Sequence, residues 1–541
     1  MSLKKLMKNL IVVTFIALIA VLSFFQFKTT SNIIEAGANI KAPFVSIIVF
    51  VIIVASIIAI FFILRAILIS KNLSKNKIKI FEISYILLIF LITRIIFSVL
   101  FLDAKVPFNE LMIHKKELEL LDPFAKFVIL PMAELINKMI NFPSLSVFIF
   151  NQIIFLISAL VFRRILRYTT KSNAFVNIGT YIYIFYPKFM YEGMFINTEI
   201  INNMLVLIAI YLIFKILKEI KIVKGKSKKY LILSVLLAIV FTFVTYTISH
   251  TFIWILALIV INMFVKNVDV VHVKFSKRTL KKVTSAERAK LYKIEKIYIK
   301  KSTVSIALFI VTLFVSKFLM DTTLTAITNK NFHGYKPKEI SSLFGTITEN
   351  YAREQMRDIN FIVGEDTKKI NYNIGKSIID ILNLNKEGKL KEASNLANSL
   401  EKIIEKPMTI SQRMKNDAKK MVEIYKNDVT NIVHLNKRVK NKNILSEIMY
   451  MSDYIFKSIF VIVLFTELLH IILRRKRTEK NVIVKLFTIS LLLIAFYFGS
   501  YHMTNLSVTT LMIIIMFTNI LEIYKNRHNK IKALSEAKYK F

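Results

Sequence analysis

The chain has 541 residues, 55% of them hydrophobic, and its 76 Lys and Arg against 35 Asp and Glu leave a formal charge of +41. Long uninterrupted apolar runs, with only 10 glycines and 8 prolines, exclude an ordinary cytosolic enzyme and a β-barrel. There is no cysteine, which removes disulfides, thiol nucleophiles and Cys metal sites.

The first apolar run, Leu10 to Phe25, follows Lys4, Lys5 and Lys8 and lacks a small-residue cleavage site, so it reads as a retained signal anchor with its N-terminus in the cytoplasm. Further runs of spanning length lie near 44–70, 81–102, 144–163, 174–190, 198–217, 229–249, 251–266, 302–320, 454–473, 483–501 and 504–523. The predicted fold is therefore all-α: a polytopic transmembrane helix bundle of about twelve spans, with an exported, mostly helical domain. Alternating the loops from a cytoplasmic start puts every dense basic block on one side. These blocks are Lys71 to Lys79, Arg163 to Lys171, Lys215 to Lys229, Arg474 to Arg477 and the tail from Lys525. That is the positive-inside pattern, and it predicts a multi-pass protein of the cytoplasmic membrane with both termini inside. It also accounts for the charge without nucleic acid, because no aromatic platform is interleaved with the basic residues.

Four regions follow. Residues 1–80 hold two N-terminal spans, and 81–320 form a membrane core with an external loop at 103–143 and a basic cytoplasmic loop at 267–301. The loop at 267–301 is expected to lie along anionic lipid head groups. Residues 321–452 read as an exported helical domain, with helices expected over Ser377–Leu384 and Ala393–Ile404. Residues 453–541 hold the C-terminal spans and a basic tail. The 103–143 loop is the acidic exception in this basic chain, and its apolar residues from Phe124 to Leu135 recur near helical spacing, which predicts short helices on the membrane surface. No paired Gly/Pro-broken helices of the transporter kind stand out.

Phosphate-loop, His-x-x-x-His and nucleophile-elbow motifs are absent from the chain. What remains is a set of ionisable residues at span ends that the topology carries to the external face: Asp103, Glu110, His114, Glu192, Glu199, His250 and His502. Such groups are costly at bundle ends unless they line a wet cavity, so as a set they point to an outward-facing site; each alone is also consistent with a hydrated interfacial residue.

The stretch Tyr-Pro-Lys-Phe-Met-Tyr-Glu-Gly-Met-Phe-Ile-Asn-Thr-Glu at 186–199, followed by an apolar helix, resembles the GT-C superfamily of polytopic glycosyltransferases. That superfamily includes the protein O-mannosyltransferases and the bacterial aminoarabinose transferases. In it a Tyr-Pro pair ends one helix and a Thr-Glu pair opens the next, here Tyr186-Pro187 and Thr198-Glu199. The resemblance covers about 81–266 and, weakly, 483–523. It implies transfer of a sugar from a polyprenyl-phosphate donor to an exported acceptor (protein, lipid or cell-envelope glycan), with inversion and without an obligatory divalent metal. It further implies an acidic catalytic residue in the first external loop, for which Pro107-Phe108-Asn109-Glu110 makes Glu110 the best match and Asp103 the competitor. Arg94, His114, Glu192, Glu199, His250 and His502 are then the expected donor-binding residues. Ser500-Tyr501-His502 stands where relatives often have Arg-Tyr, a departure at the expected phosphate site. Two other classes share the helix count and basic inner loops: a polysaccharide polymerase, ligase or lipid-carrier flippase, and a non-catalytic membrane component.

Overall fold

The structure is a computed structural model and describes residues 44–102, 129–169, 173–194, 199–220, 228–247, 285–328, 331–333, parts of 375–399, 455–466 and 509–517, with isolated positions elsewhere. Among these the chain is helical throughout, as its apolar runs dictate: a backbone surrounded by hydrocarbon must satisfy its own N–H and C=O groups. The helices are α1 (Phe44–Ser70), α2 (Lys75–Phe101), α3 (Leu130–Ile140), α4 (Pro143–Thr169), α5 (Asn173–Phe185), α6 (Pro187–Glu192), α7 (Glu199–Ile220), α8 (Lys229–Thr247) and α9 (Ser285–Thr328). Six are long and apolar enough to cross a membrane: α1, α2, α4, α7, α8 and α9. The expected spans at 10–25, 251–266 and 483–501 lie outside the described residues. Those at 454–473 and 504–523 are described only as the helical stretches Ile455–Thr466 and 509–517.

Solvent quality is legible from exposure. Ile48, Val49, Val51, Ile52, Ile53, Ile60 and Ile63 of α1 all stand about half exposed, and Val311, Phe314, Val315 and Phe318 of α9 stand half exposed or more. A water-facing surface this apolar would be unusual for a soluble monomer, whereas lipid accepts it. The buried interior runs the other way, through α4, α5 and α7. Phe155, Phe162, Tyr183 and Phe189 stack with ring centroids 4.4–5.2 Å apart, and all four are fully buried. Asn203 of α7 donates to the Tyr183 hydroxyl at 2.6 Å and accepts from Thr510 at 2.6 Å, which ties the 509–517 helix to this stack. Gly179 lets α5 approach closely: a Cβ there would stand 2.6 Å from Leu166 Cδ1 and 3.3 Å from Phe517 Cδ1. Hydroxyl pairs Ser234–Ser305 and Thr242–Ser316 join α8 to α9.

The sequence reading is modified in two places. The expected continuous span at 174–190 is broken, because Pro187 cannot extend a helix past Tyr186; α5 stops at Phe185 and the six-residue α6 starts afresh. Residues 285–301, expected as part of a loop, are helical and run without a break into the span, giving α9 44 residues. Within the 103–143 segment, where short helices are expected, a helix forms at Leu130–Ile140, with Pro131 in its first turn and Asn141 closing it in the left-handed conformation (φ 59°). Beyond α9, residues 375–381 are helical within the expected Ser377–Leu384 region, and the turn at Gly388 (φ 80°) accepts a hydrogen bond from the Asn331 amide at 3.2 Å. That contact brings the Gly388 turn against the backbone just past α9, whose last residues, 321–328, belong to the helix and not to a separate domain.

Candidate functional site

Two polar layers cross the bundle interior. The first lies where α1 and α4 end and α2 and α5 begin, the end that also carries the basic residues from Lys71 to Lys79 and Arg163, Arg164 and Arg167. Glu82 sits at its centre. Its Oε1 accepts from Arg65 Nε at 3.0 Å, and its Oε2 accepts from Arg163 Nη2 at 2.6 Å and faces Arg167 Nη2 at 3.5 Å. Arg163 also donates to Asn177 Oδ1 at 2.9 Å. These partners come from four helices whose ends must therefore alternate in direction, as the basic-loop pattern predicts.

The second layer is one helical stretch further along. Twelve residues of α2 separate Glu82 from Arg94, about 18 Å at 1.5 Å per residue. Arg94 is buried, with its guanidinium 4.6 Å from the Phe90 ring centroid and 5.3 Å from that of Phe155. It donates from Nε to Gln152 Oε1 at 2.7 Å, from Nη2 to the Ile184 carbonyl at 2.9 Å and from Nη1 to Thr93 Oγ1 at 3.2 Å. Ile184 is an acceptor there because α5 is about to end, leaving its last carbonyls without intrahelical partners. The corner that follows is held by α4: Asn151 donates to the Gly193 carbonyl at 3.0 Å, and Gln152 lies directly against the Gly193 Cα.

Around this corner two further cations are buried. Lys188, in the first turn of α6, is 3% exposed, and Lys457 is 1% exposed. Tyr186, two residues before Lys188, meets the ring of Phe456, the residue before Lys457, edge-on at 5.4 Å. A third group belongs to the same end of α8 and α9. Tyr246 donates to Asp321, Lys317 pairs with Asp321 at 3.0 Å, and the Lys317 ammonium lies 3.5 Å from the centre of the Tyr246 ring.

Of the sequence-predicted residues, the structure places Arg94 in the second layer, Glu192 half-buried at the end of α6, and Glu199 at the first position of α7. Asp103, Glu110, His114, His250 and His502 lie outside the described residues. α5 ends one residue before Tyr186, and α7 opens at Glu199, the two boundaries at which the sequence places helix ends. Residues the sequence reading missed are Gln152, Asn151, Lys188, Lys457, Lys317 and Asp321. Lys188 sits inside the quoted Tyr-Pro stretch and Asp321 closes the span at 302–320, so position alone could have marked both. Lys457 and Gln152 acquire their place only through contacts distant in sequence. Among the described residues no three His, Asp or Glu side chains gather in a way that could hold a metal.

The Gly193 corner yields a prediction. A methyl group there would overlap the Gln152 carboxamide and press on the Phe189 and Met190 carbonyls at 3.2 and 3.3 Å. Gly193→Ala should turn Gln152 away from Arg94, leaving a buried guanidinium N–H unpaired at a cost of about 1–3 kcal/mol. Thermal unfolding in detergent measures it, and a midpoint equal to the parent's would show that the corner has room to relax. Because both changes act through one hydrogen bond, Gly193→Ala combined with Gln152→Ala should cost less than the two separate losses together.

No family model, no curated protein and no solved structure matches this chain.

Proposed function

We propose that this chain is a membrane glycosyltransferase that moves a sugar from a polyprenyl-phosphate carrier to an exported acceptor, a protein, lipid or cell-envelope glycan, with inversion at the anomeric carbon. The observation that carries the reading is the broken-helix corner at 186–194, beside which three cations, Arg94, Lys188 and Lys457, are buried at the end of the bundle opposite the basic blocks. Buried cations in a membrane bundle are expensive and mark pathways for charged ligands. A phosphate on an apolar tail suits such a place: its lipid stays in the bilayer while its charge meets fixed cations.

In this reading the chemistry is a single displacement. The acceptor oxygen forms a bond to C1 of the sugar and gives its proton to a carboxylate, Glu110, with Asp103 as the orienting neighbour. The C1–O bond to phosphate breaks, and its electron pair leaves with the polyprenyl phosphate, steadied by the cations of the corner. One carboxylate acting through the acceptor gives inversion without a covalent sugar–enzyme intermediate.

The test is transfer by the full chain in proteoliposomes, supplied with radiolabelled polyprenyl-phosphate sugars. Transfer to acceptor that fails in Lys457→Met, with carrier binding weakened, supports the reading. Carrier binding without transfer, accompanied by movement of carrier between leaflets, would identify a flippase. Orientation is tested separately in this cysteine-free chain. Single cysteines at Asn395 and Lys226 should label from outside only at Asn395, and the opposite pattern would invert the topology.

A further inference from the structure

Among the described residues, the layer around Glu82 holds more cation than carboxylate. Three guanidiniums, of Arg65, Arg163 and Arg167, share one carboxylate, and both oxygens of that carboxylate are already used. Glu82 and Arg163 are buried, whereas the Arg65 and Arg167 side chains keep 20% and 36% of their surface. The neighbouring Arg164 does not share the load; it turns to the Tyr211 hydroxyl at 3.3 Å. The two buried groups, Glu82 and Arg163, offset each other, so the surplus positive charge lies on the partly exposed Arg65 and Arg167, where an anion from outside the bundle can reach it.

A second observation is independent of this charge count. Arg163 Nε, Asn177 Nδ2 and the Tyr181 hydroxyl are buried and lack a hydrogen-bond partner among the described residues. Arg163 is 3% exposed, and Asn177 and Tyr181 are fully buried. All three groups can donate. A cluster of donors without acceptors, beneath two partly exposed guanidiniums, is arranged for an oxygen-rich anion.

We infer that the end of the bundle formed by α1, α2, α4 and α5 holds a phosphate group, gripped by Arg65 and Arg167 at its exposed edge and backed by Arg163. This site goes beyond the proposed transfer reaction and does not rest on it, since it lies about 18 Å along α2 from Arg94. Arginine suits the task, because its planar fork meets phosphate oxygens in pairs. The phosphate can come from an anionic phospholipid of the adjoining leaflet or from solution. Both present the same oxygens, and the experiment separates them.

The full chain in neutral detergent is titrated with phosphatidylglycerol, with phosphatidylcholine and with inorganic phosphate, and the thermal midpoint and native mass spectrum are followed. Phosphatidylglycerol should raise the midpoint of the parent and remain bound in the spectrum, with roughly tenfold weaker apparent affinity in Arg65→Gln/Arg167→Gln. Protection by inorganic phosphate at least equal to that by the lipid also supports the site and assigns it a soluble ligand. Lys281→Gln/Lys282→Gln/Arg288→Gln, which weakens the head-group binding expected of segment 267–301, should keep the rise in midpoint, and this separates the two sites. Should the double variant not fold, Arg167→Gln alone, at the most exposed of the three, carries the comparison with an affinity loss of about threefold. Equal protection of parent and variants, or none by either anion, overturns the inference and leaves the donors to water.

Discussion

Glu82→Gln is expected to destabilise the detergent-purified protein by about 3–5 kcal/mol, the cost of removing one partner from a buried charge cluster. The substitution preserves shape, so cavity formation contributes little. What changes is charge: Arg163, 3% exposed and 2.6 Å from the carboxylate, is left with no negative partner among the described residues, beside two further guanidiniums. The amide also turns an N–H₂ toward donors where an oxygen had accepted. Arg167→Gln makes the contrast. That side chain is 36% exposed and 3.5 Å away, so its loss should cost no more than about 1 kcal/mol and should relieve some like-charge repulsion. Thermal unfolding followed by fluorescence-detected size exclusion ranks the two. If Glu82→Gln unfolds with the parent, the layer is hydrated and its charges are screened.

The second large effect concerns catalysis. Under the proposed function, Glu110→Gln should leave carrier binding near that of the parent and lower transfer by roughly 10²-fold or more, because the acceptor proton loses its base. An ordinary glutamate is ionised at neutral pH, so Glu110 needs no special burial to serve. Asp103 is the competitor. Arg94 stands seven residues before the end of α2 at Phe101, and its hydrogen bonds go to Gln152, Thr93 and the Ile184 carbonyl. These bonds turn Arg94 toward α4 and α5. If Asp103→Asn abolishes transfer while Glu110→Gln does not, the two roles exchange and the likeness through Pro107 fails.

The sequence made the membrane helices readable because apolar run length is a local property. The break at Pro187 is local as well, since proline acts on its own turn, but the apolar run at 174–190 hid it, and only the resemblance put a helix end at Tyr186-Pro187. Glu82 was not readable. Standing three residues after Lys79 near a helix start, it looks like one more interfacial charge, and only the arrival of Arg65, Arg163 and Arg167 from two other helices makes it a centre. Depth matching offered a signal, since Arg65 lies five residues before one helix end and Glu82 seven after the next start. Gln152 offered none, because an uncharged amide in an apolar run reveals its partner only when α2 and α5 are in place.

The helix α9 has a mechanical consequence. Its 44 residues make a rod of about 66 Å, more than twice the hydrocarbon thickness of a bilayer, with no interruption between Ser285 and Thr328. Hydroxyl pairs bolt its middle to α8, Tyr246 grips it again at Asp321, and the backbone just past its end touches Gly388. Axial compression of an α-helix is stiff compared with sliding between helices, so a push on the lysine-rich tip arrives at Asp321 and at the Gly388 turn almost undiminished. A proline or a pair of glycines at Ala307 would turn this strut into a hinge, and movement at one tip would no longer be felt at the other.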